Sequence, residues 1–186
     1  VGYTDGTFGP SRSMTRSEAA AIFARLLAEK NGDTISTAAN TKFADIPAHA
    51  WYSGYVKYLS NNGITYGKSK TIFAPNDAIT RAEFTTMAVR FFDVYGDGDA
   101  EIMEQFSGFN DVSSGYWAAE YIKYAALHGW INGYGDGSFH ADREINRAEV
   151  VTIVNRLLGR EADEDYIADN LRKLNTFPDV TKRHWA

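Results

Sequence analysis

Three arginines occupy the same position of a repeated four-residue motif and are the leading candidates for ligand binding. Arg16, Arg81 and Arg147 each follow Thr or Asn and precede a small residue and then Glu. A guanidinium matches a carboxylate in bidentate geometry, and at the first position of a helix it lies near free backbone N–H groups. The motif therefore predicts three sites for an anionic ligand. In the alternative interpretation, each arginine pairs with a nearby carboxylate and only fixes the start of the helix.

Three pairs of residues recur in register with this motif and extend the candidate site: Gly67 and Gly133, Trp51 and Trp117, and Lys57 and Lys123. The glycines, like Gly2, either let backbone amides approach a ligand or only satisfy a tight turn. The tryptophans can stack on a sugar face, but their place at the start of an apolar stripe favours core packing. The lysines either reach a carboxylate or phosphate or lie on a solvated helix face.

A repeat of about 66 residues positions all of these side chains. Matching segments open at Phe8, Phe73 and Phe139, and a second block places Phe, Asp and Trp in the same order three times. Its aspartates are predicted to bond to the backbone N–H groups that directly follow them: Asp45, Asp111 and Asp179. The predicted units are 1–42, 43–108, 109–176 and 177–186, of which the first and last are incomplete. The incomplete units either continue in a longer protein or complement each other in space.

Each complete unit is predicted to contain two helices joined by a Gly-rich loop. In the first helix, which we expect to start at Trp51 or Trp117, apolar residues recur at helical spacing until Gly63 or Gly129 ends it. The second helix is expected to begin with a capping box, in which Glu follows the cap residue by three positions. The three cap residues are Thr15, Thr80 and Asn146. The predicted fold class is therefore all-α, with residues 159–176 partly helical.

These motifs resemble the modules of the S-layer homology family. The resemblance rests on F-x-D-[IV] followed by Trp, then G-x-x-x-G, a D-G-x-F loop and I-T-R-A-E opening a helix. It implies a secreted protein at the bacterial cell surface, with modules in a pseudo-threefold assembly. It also implies noncovalent anchoring to secondary cell wall polysaccharides, often pyruvylated, in grooves between modules, with the three motif arginines at the ligand. The middle copy departs from the pattern at Lys70 and Thr71, and the other copies depart at Ser17 and Asn146.

The composition excludes several classes of function. The chain of 186 residues has a net charge of −5, no cysteine and no basic run, which argues against disulfides, a thiolate zinc site and nucleic acid. It contains no apolar run long enough for membrane insertion. Because it starts at Val1 without a leader, we expect any targeting signal to lie outside this sequence.

Three alternatives to polysaccharide binding remain at this point. Catalysis is disfavoured, because the repeated glutamates already serve as helix caps and the four histidines share no repeat position. No cofactor is expected. Residues 93–104 have partial EF-hand spacing, although Tyr95 occupies a ligand position, so a calcium site is a weaker possibility. The main rival function is a structural module that binds other surface-layer subunits without contacting glycan.

Overall fold

The computed structural model describes residues 2–96, 106–160, 177–180 and 184–185. Within these ranges the secondary structure is helical, apart from three isolated β-bridges. The five helices are α1 (Arg16–Asn31), α2 (Ser53–Asn61), α3 (Arg81–Tyr95), α4 (Ala119–Leu127) and α5 (Arg147–Leu157). The all-α prediction is confirmed for this part of the chain, in which no helix is both long and apolar enough to cross a bilayer.

The second helix of each unit begins at the residue that the capping box predicts. The side chains of Thr15, Thr80 and Asn146 each accept a hydrogen bond from the N3 backbone N–H, and the N3 glutamate accepts one from the backbone N–H of the cap residue. The first helices, α2 and α4, begin two residues later than expected, so Trp51 and Trp117 precede them. At neither of these two N-termini does the side chain of the cap residue form a hydrogen bond.

Three extended segments meet at the centre of the molecule, just before α1, α3 and α5. Met14 donates its backbone N–H to the carbonyl of Ile145, Ile145 donates to Ile79, and Ile79 donates back to Met14. The N···O distances are 3.0, 3.0 and 2.9 Å, and all three side chains are buried. This closed ring of hydrogen bonds gives the assembly its pseudo-threefold arrangement.

Neighbouring units interlock through their helices. The first helix of a unit packs on the second helix of the unit before it, so α2 lies on α1 and α4 lies on α3. Fully buried phenylalanines fill the space between α1 and α3, with the ring centroid of Phe23 5.2 Å from that of Phe84 and 5.0 Å from that of Phe91. A core shared between units means that a single unit cannot bury its apolar surface alone.

The repeated aspartates accept hydrogen bonds from backbone N–H groups that are far away in the sequence. The expectation that they bond to the N–H groups directly following them is therefore wrong. Asp45 accepts the N–H groups of Phe73 and Ala74, 2.9 and 2.6 Å away. Asp111 likewise accepts from Phe139 and His140, at 2.7 Å each. The carboxylate is positioned by its own turn, but its partners lie in the loop before the second helix.

The same contact joins the two incomplete ends of the chain. Asp179 accepts the N–H groups of Phe8 and Gly9 at 2.8 and 2.7 Å, and the ring of Phe177 lies 5.4 Å from that of Phe8. The described part of 177–186 thus complements the N-terminal segment in space. The division into four units is still a prediction from the repeat. The predicted helicity of 161–176 and most of the calcium candidate 93–104 fall outside the described residues.

Candidate functional site

Two equivalent grooves lie between neighbouring units, and each contains one motif arginine. We call them the Arg16 groove and the Arg81 groove. The Arg16 groove has a volume of about 90 Å³ and is lined by residues that include Arg16, Gly67, Glu83, Thr86, Arg90 and Trp117. The Arg81 groove has a volume of about 290 Å³ and is lined at the matching positions by Arg81, Gly133, Glu149, Thr152, Arg156 and Trp185. The repeat therefore produces the same concave site twice, with different sizes.

The motif arginines in these grooves are buried and paired internally. Arg16 donates from Nε to the carbonyl of Phe73 at 2.7 Å and from Nη1 to Glu83 at 3.0 Å. Arg81 makes the equivalent bonds to Phe139 at 2.8 Å and Glu149 at 2.7 Å. Burial lowers the pKa of Arg81, and the charge of Glu149 opposes that shift.

Arg147 holds a loop in the same way. Its Nε donates to the carbonyl of Phe8 at 2.8 Å, and its guanidinium lies 4.7 Å from the centre of the Phe8 ring. Each motif arginine thus fixes the Gly-rich loop of another unit against its own helix. The carboxylate pairs of Arg16 and Arg81 agree with the alternative interpretation, whereas the contact with a loop of another unit was not expected, and neither decides whether a ligand also makes contact.

The helix starts do not offer the free backbone N–H groups that the sequence suggested. The N–H of Arg16 donates to the carbonyl of Asp77 and that of Ser17 to Pro75, both at 3.0 Å. The N–H groups of Arg81 and Ala82 are bonded in the same way to the next loop. These donors are used by the contact between units, which satisfies the helix termini without a ligand.

Trp51 and Trp117 are exposed, so the expectation that they pack into the core is wrong. Their exposed fractions are 53% and 56%. Because α2 and α4 begin two residues after these tryptophans, the residues that follow them, Tyr52 and Ala118, turn inwards instead. Trp117 lines the Arg16 groove, where its exposed ring faces other polar and aromatic groups.

Both loop glycines are required by close packing. A Cβ on Gly67 would lie 2.5 Å from both Cε1 of Phe43 and the carbonyl oxygen of Ile72. A Cβ on Gly133 would lie equally close to Cε1 of Phe109. The turn interpretation therefore has a direct structural reason, and both glycines also line the grooves.

Lys57 and Lys123 are exposed on α2 and α4. Neither lines the Arg16 groove or the Arg81 groove. The structure therefore does not bring these lysines to the motif arginines, and their role in ligand binding stays a prediction.

A second set of arginines recurs at a fixed spacing that the motifs did not include, and two of its members, Arg90 and Arg156, line the grooves. Arg25, Arg90 and Arg156 each follow a motif arginine by nine residues. Arg90 donates from Nε and Nη2 to the hydroxyl of Tyr121, at 3.3 and 3.1 Å, and its guanidinium lies 4.8 Å from the centre of the Tyr66 ring. Arg25 contacts Tyr55 in the same way.

A network around Glu149 distinguishes the Arg81 groove from the Arg16 groove. One carboxylate oxygen of Glu149 accepts from Arg81, Arg143 and the hydroxyl of Tyr134, while the other accepts the N–H of Asn146. Burial raises the pKa of Tyr134. Nothing in the repeated motifs pointed to Arg143, because the middle unit lacks it.

The positions of Tyr134 and Arg143 carry different residues at the Arg16 groove. There, Lys68 and Asp77 pair with each other at 3.0 Å. Among the described residues, Glu83 pairs with Arg16 alone, and its side chain is 21% exposed against 10% for Glu149. Among the described residues, no group of three or more His, Asp or Glu is placed to hold a metal ion.

Comparison with known proteins places this architecture in a family. The profile of the S-layer homology domain matches residues 1–20, 42–85 and 108–151, which together make up more than half of the chain. The three matched segments include the motif arginines and the Gly-rich loops that form the grooves.

Several bacterial surface proteins are similar in sequence. The chain is 35% identical over its whole length to cell surface glycoprotein 1 of Acetivibrio thermocellus, and 32% identical to the cellulosome-anchoring protein of that organism. It is 32% identical over 84% of its length to the surface-layer 125 kDa protein of Lysinibacillus sphaericus. The chain spans 8%, 39% and 13% of these relatives. The repeats, the grooves and the profile match show that the chain belongs to the S-layer homology domain family.

Proposed function

We propose that this chain is a noncatalytic module that anchors a protein noncovalently to the bacterial cell wall. Its ligand is a secondary wall polysaccharide that carries acidic, pyruvylated sugars, bound in the grooves between units. Family membership and relatives with surface-layer and anchoring names support association with the cell surface or cell wall. The polysaccharide itself and secretion of the protein are part of the proposal.

The observation that carries this proposal is the repeated combination of an exposed tryptophan and arginines in one groove. In the Arg16 groove, Trp117 is more than half exposed and lies in the same lining as Arg90. An aromatic ring supplies an apolar face for a sugar, and a guanidinium supplies donors for a carboxylate. One groove therefore contains both of the chemical groups that an acidic sugar requires.

The rival proposal is an assembly module that binds other surface-layer subunits. It is favoured by the internal pairing of Arg16 with Glu83 and of Arg81 with Glu149, which explains the motif arginines without a glycan. Under this proposal, the exposed tryptophans are protein contacts, and the grooves have no polysaccharide specificity.

Co-sedimentation with purified cell wall sacculi separates the two proposals. We expect the chain to sediment with sacculi that carry the wall polysaccharide and to stay in solution once the polysaccharide is extracted. Trp117→Ala should weaken binding several-fold through loss of the stacking face, whereas Trp117→Phe should retain most of it. Val94→Ala is the matched control, because Val94 is also an exposed apolar residue but lines neither groove.

The outcome of this experiment is decisive in both directions. If the chain sediments equally with intact and extracted sacculi, or with neither, polysaccharide anchoring is wrong and the assembly proposal gains. The substitution of Arg81 by Ala is less informative here, because it removes a buried ion pair and can reduce binding by unfolding the groove.

A further inference from the structure

The two grooves differ in the charge that they present to a ligand. At the Arg16 groove, each of two cations has its own carboxylate: Arg16 pairs with Glu83, and Lys68 pairs with Asp77. At the Arg81 groove, Arg81 and Arg143 share the single carboxylate of Glu149. Among the described residues, no second carboxylate pairs with either guanidinium of this cluster.

The second arginine of each groove also has fewer partners in the Arg81 groove than in the Arg16 groove. Arg90, in the Arg16 groove, is held by Tyr121 and covered by the ring of Tyr66. Arg156, its equivalent in the Arg81 groove, is exposed and has no partner among the described residues. The Arg81 groove is thus both larger and more positively charged than the Arg16 groove.

Within the Arg81 cluster, only Arg143 has guanidinium nitrogens without a partner among the described residues. Arg81 uses all three of its nitrogens, donating to the carbonyl of Phe139, to Glu149 and to the carbonyl of Asn132. Arg143 donates from Nη2 to Glu149 and to the hydroxyl of Tyr134, while its Nε and Nη1 have no partner among the described residues. Its side chain is 42% exposed.

We propose that Arg143 is the specificity-determining residue of this chain and binds the carboxylate of an acidic sugar beside the Arg81 groove, where it contacts Tyr134 and Glu149 of the groove lining and itself lines the adjoining cavity. Glu149 and Tyr134 hold the guanidinium there, so its free edge is oriented before the ligand arrives. Arg81 is a positioning residue that anchors Glu149. The proposal rests on the proposed function, and it makes the Arg81 groove the stronger of the two sites for an anionic ligand.

The middle unit provides a natural comparison for this role. Where the Arg81 groove has Tyr134 and Arg143, the Arg16 groove has Lys68 and Asp77, which neutralise each other. The N-terminal unit has Tyr3 and Arg12 at these positions, with the guanidinium of Arg12 4.8 Å from the centre of the Tyr3 ring. Two of the three units therefore carry the Tyr and Arg pair, and the middle unit does not.

The test compares Arg143→Gln with Lys68→Gln. Both substitutions remove one positive charge from a side chain of the loop beside a groove, and both side chains are 42% exposed. The probes are sacculi that carry the wall polysaccharide and the same sacculi after their carboxyl groups have been amidated with a carbodiimide. Apparent dissociation constants are measured by co-sedimentation at low and at near-physiological ionic strength, and thermal unfolding confirms that each variant is folded.

We expect Arg143→Gln to weaken binding to native sacculi about tenfold and to reduce the salt dependence of binding, because a charge-assisted contact is lost. The same variant should match the unsubstituted chain on amidated sacculi. Lys68→Gln should have little effect on either probe. Arg143→Lys should fall between, since it keeps the charge but loses the planar fork.

Failure of this inference is distinguishable from failure of the proposed function. If the unsubstituted chain binds native sacculi but Arg143→Gln and Lys68→Gln lose affinity equally, the role of Arg143 is wrong and polysaccharide anchoring stands. The role is also overturned if Arg143→Gln weakens binding to native and amidated sacculi alike. If the unsubstituted chain does not bind native sacculi, the proposed function fails with it.

Discussion

Replacing Glu149 by Gln tests whether the network in the Arg81 groove stabilises the fold in the way its geometry indicates. The substitution keeps the shape of the side chain and, because Gln also serves at the third position of a capping box, it keeps the helix cap. It removes only the negative charge that Arg81 and Arg143 share. The expected effect is therefore electrostatic.

The magnitude follows from burial. The Glu149 side chain is 10% exposed and that of Arg81 is 6% exposed, so the variant leaves a buried guanidinium without its counter-charge. Removing one partner of a buried pair costs about 3 to 5 kcal/mol. Since the Gln oxygen still accepts a hydrogen bond, we expect a loss near 3 kcal/mol in the free energy of unfolding. For a chain of this size, such a loss lowers Tm by roughly 6 to 12 °C.

Glu83→Gln is the matched control, because Glu83 occupies the same motif position in the middle unit. It pairs with one guanidinium and is twice as exposed as Glu149, although Arg16 is as buried as Arg81, so we expect a smaller loss of about 2 kcal/mol. Thermal and urea unfolding of both variants, followed by circular dichroism, measures the difference. Equal losses, or a larger loss for Glu83→Gln, would refute the reasoning from burial and shared charge.

Three further predictions concern stability. Trp117→Ala should change the free energy of unfolding by less than about 0.5 kcal/mol, whereas Phe84→Ala in the core should cost about 3 to 5 kcal/mol; comparable thermal shifts would contradict the exposed position of the tryptophan. Gly67→Ala should cost more than Gly6→Ala, by about 1 to 3 kcal/mol in urea unfolding, because both glycines have positive φ but only Gly67 lacks room for a Cβ; equal costs would exclude the clash. Burial alone would raise the pKa of Asp111, but hydrogen bonds from two backbone N–H groups lower this pKa below the unfolded value near 3.9. The carboxylate therefore contributes to stability above about pH 4, and this contribution is lost as the pH falls through the pKa of the folded state. An Asp111→Asn variant should accordingly lose less stability on acidification, and an unchanged pH profile would contradict this contribution.

The helices that begin with capping boxes were predictable because their signal is local. Thr15 and Glu18 lie one helical turn apart, so their reciprocal hydrogen bonds depend only on neighbouring residues. The start of α2 was harder to predict, since Tyr52 offers no side-chain cap. The helical pattern extended to Trp51 because an aromatic residue fits an apolar stripe whether it faces the core or the solvent.

The candidate site was predictable in part. The sequence identified Arg81 and Trp117, and both line grooves. It missed Arg143, because that residue belongs to no motif shared by all units and meets Glu149 only when the loop folds over α5. It also assigned free backbone N–H groups to the helix starts, although the next unit already bonds them.

The sequence by itself determined the repeat, the all-α class, the capping boxes and the family, because each depends on residue types at fixed spacing within one unit. Only the tertiary structure decided which side chains are accessible and which charges are neutralised. Asp179 meets Phe8, and Arg81 meets Glu149, across large separations in the chain. Spacing within one unit carries no information about such contacts, since they arise when three similar units close around a common centre.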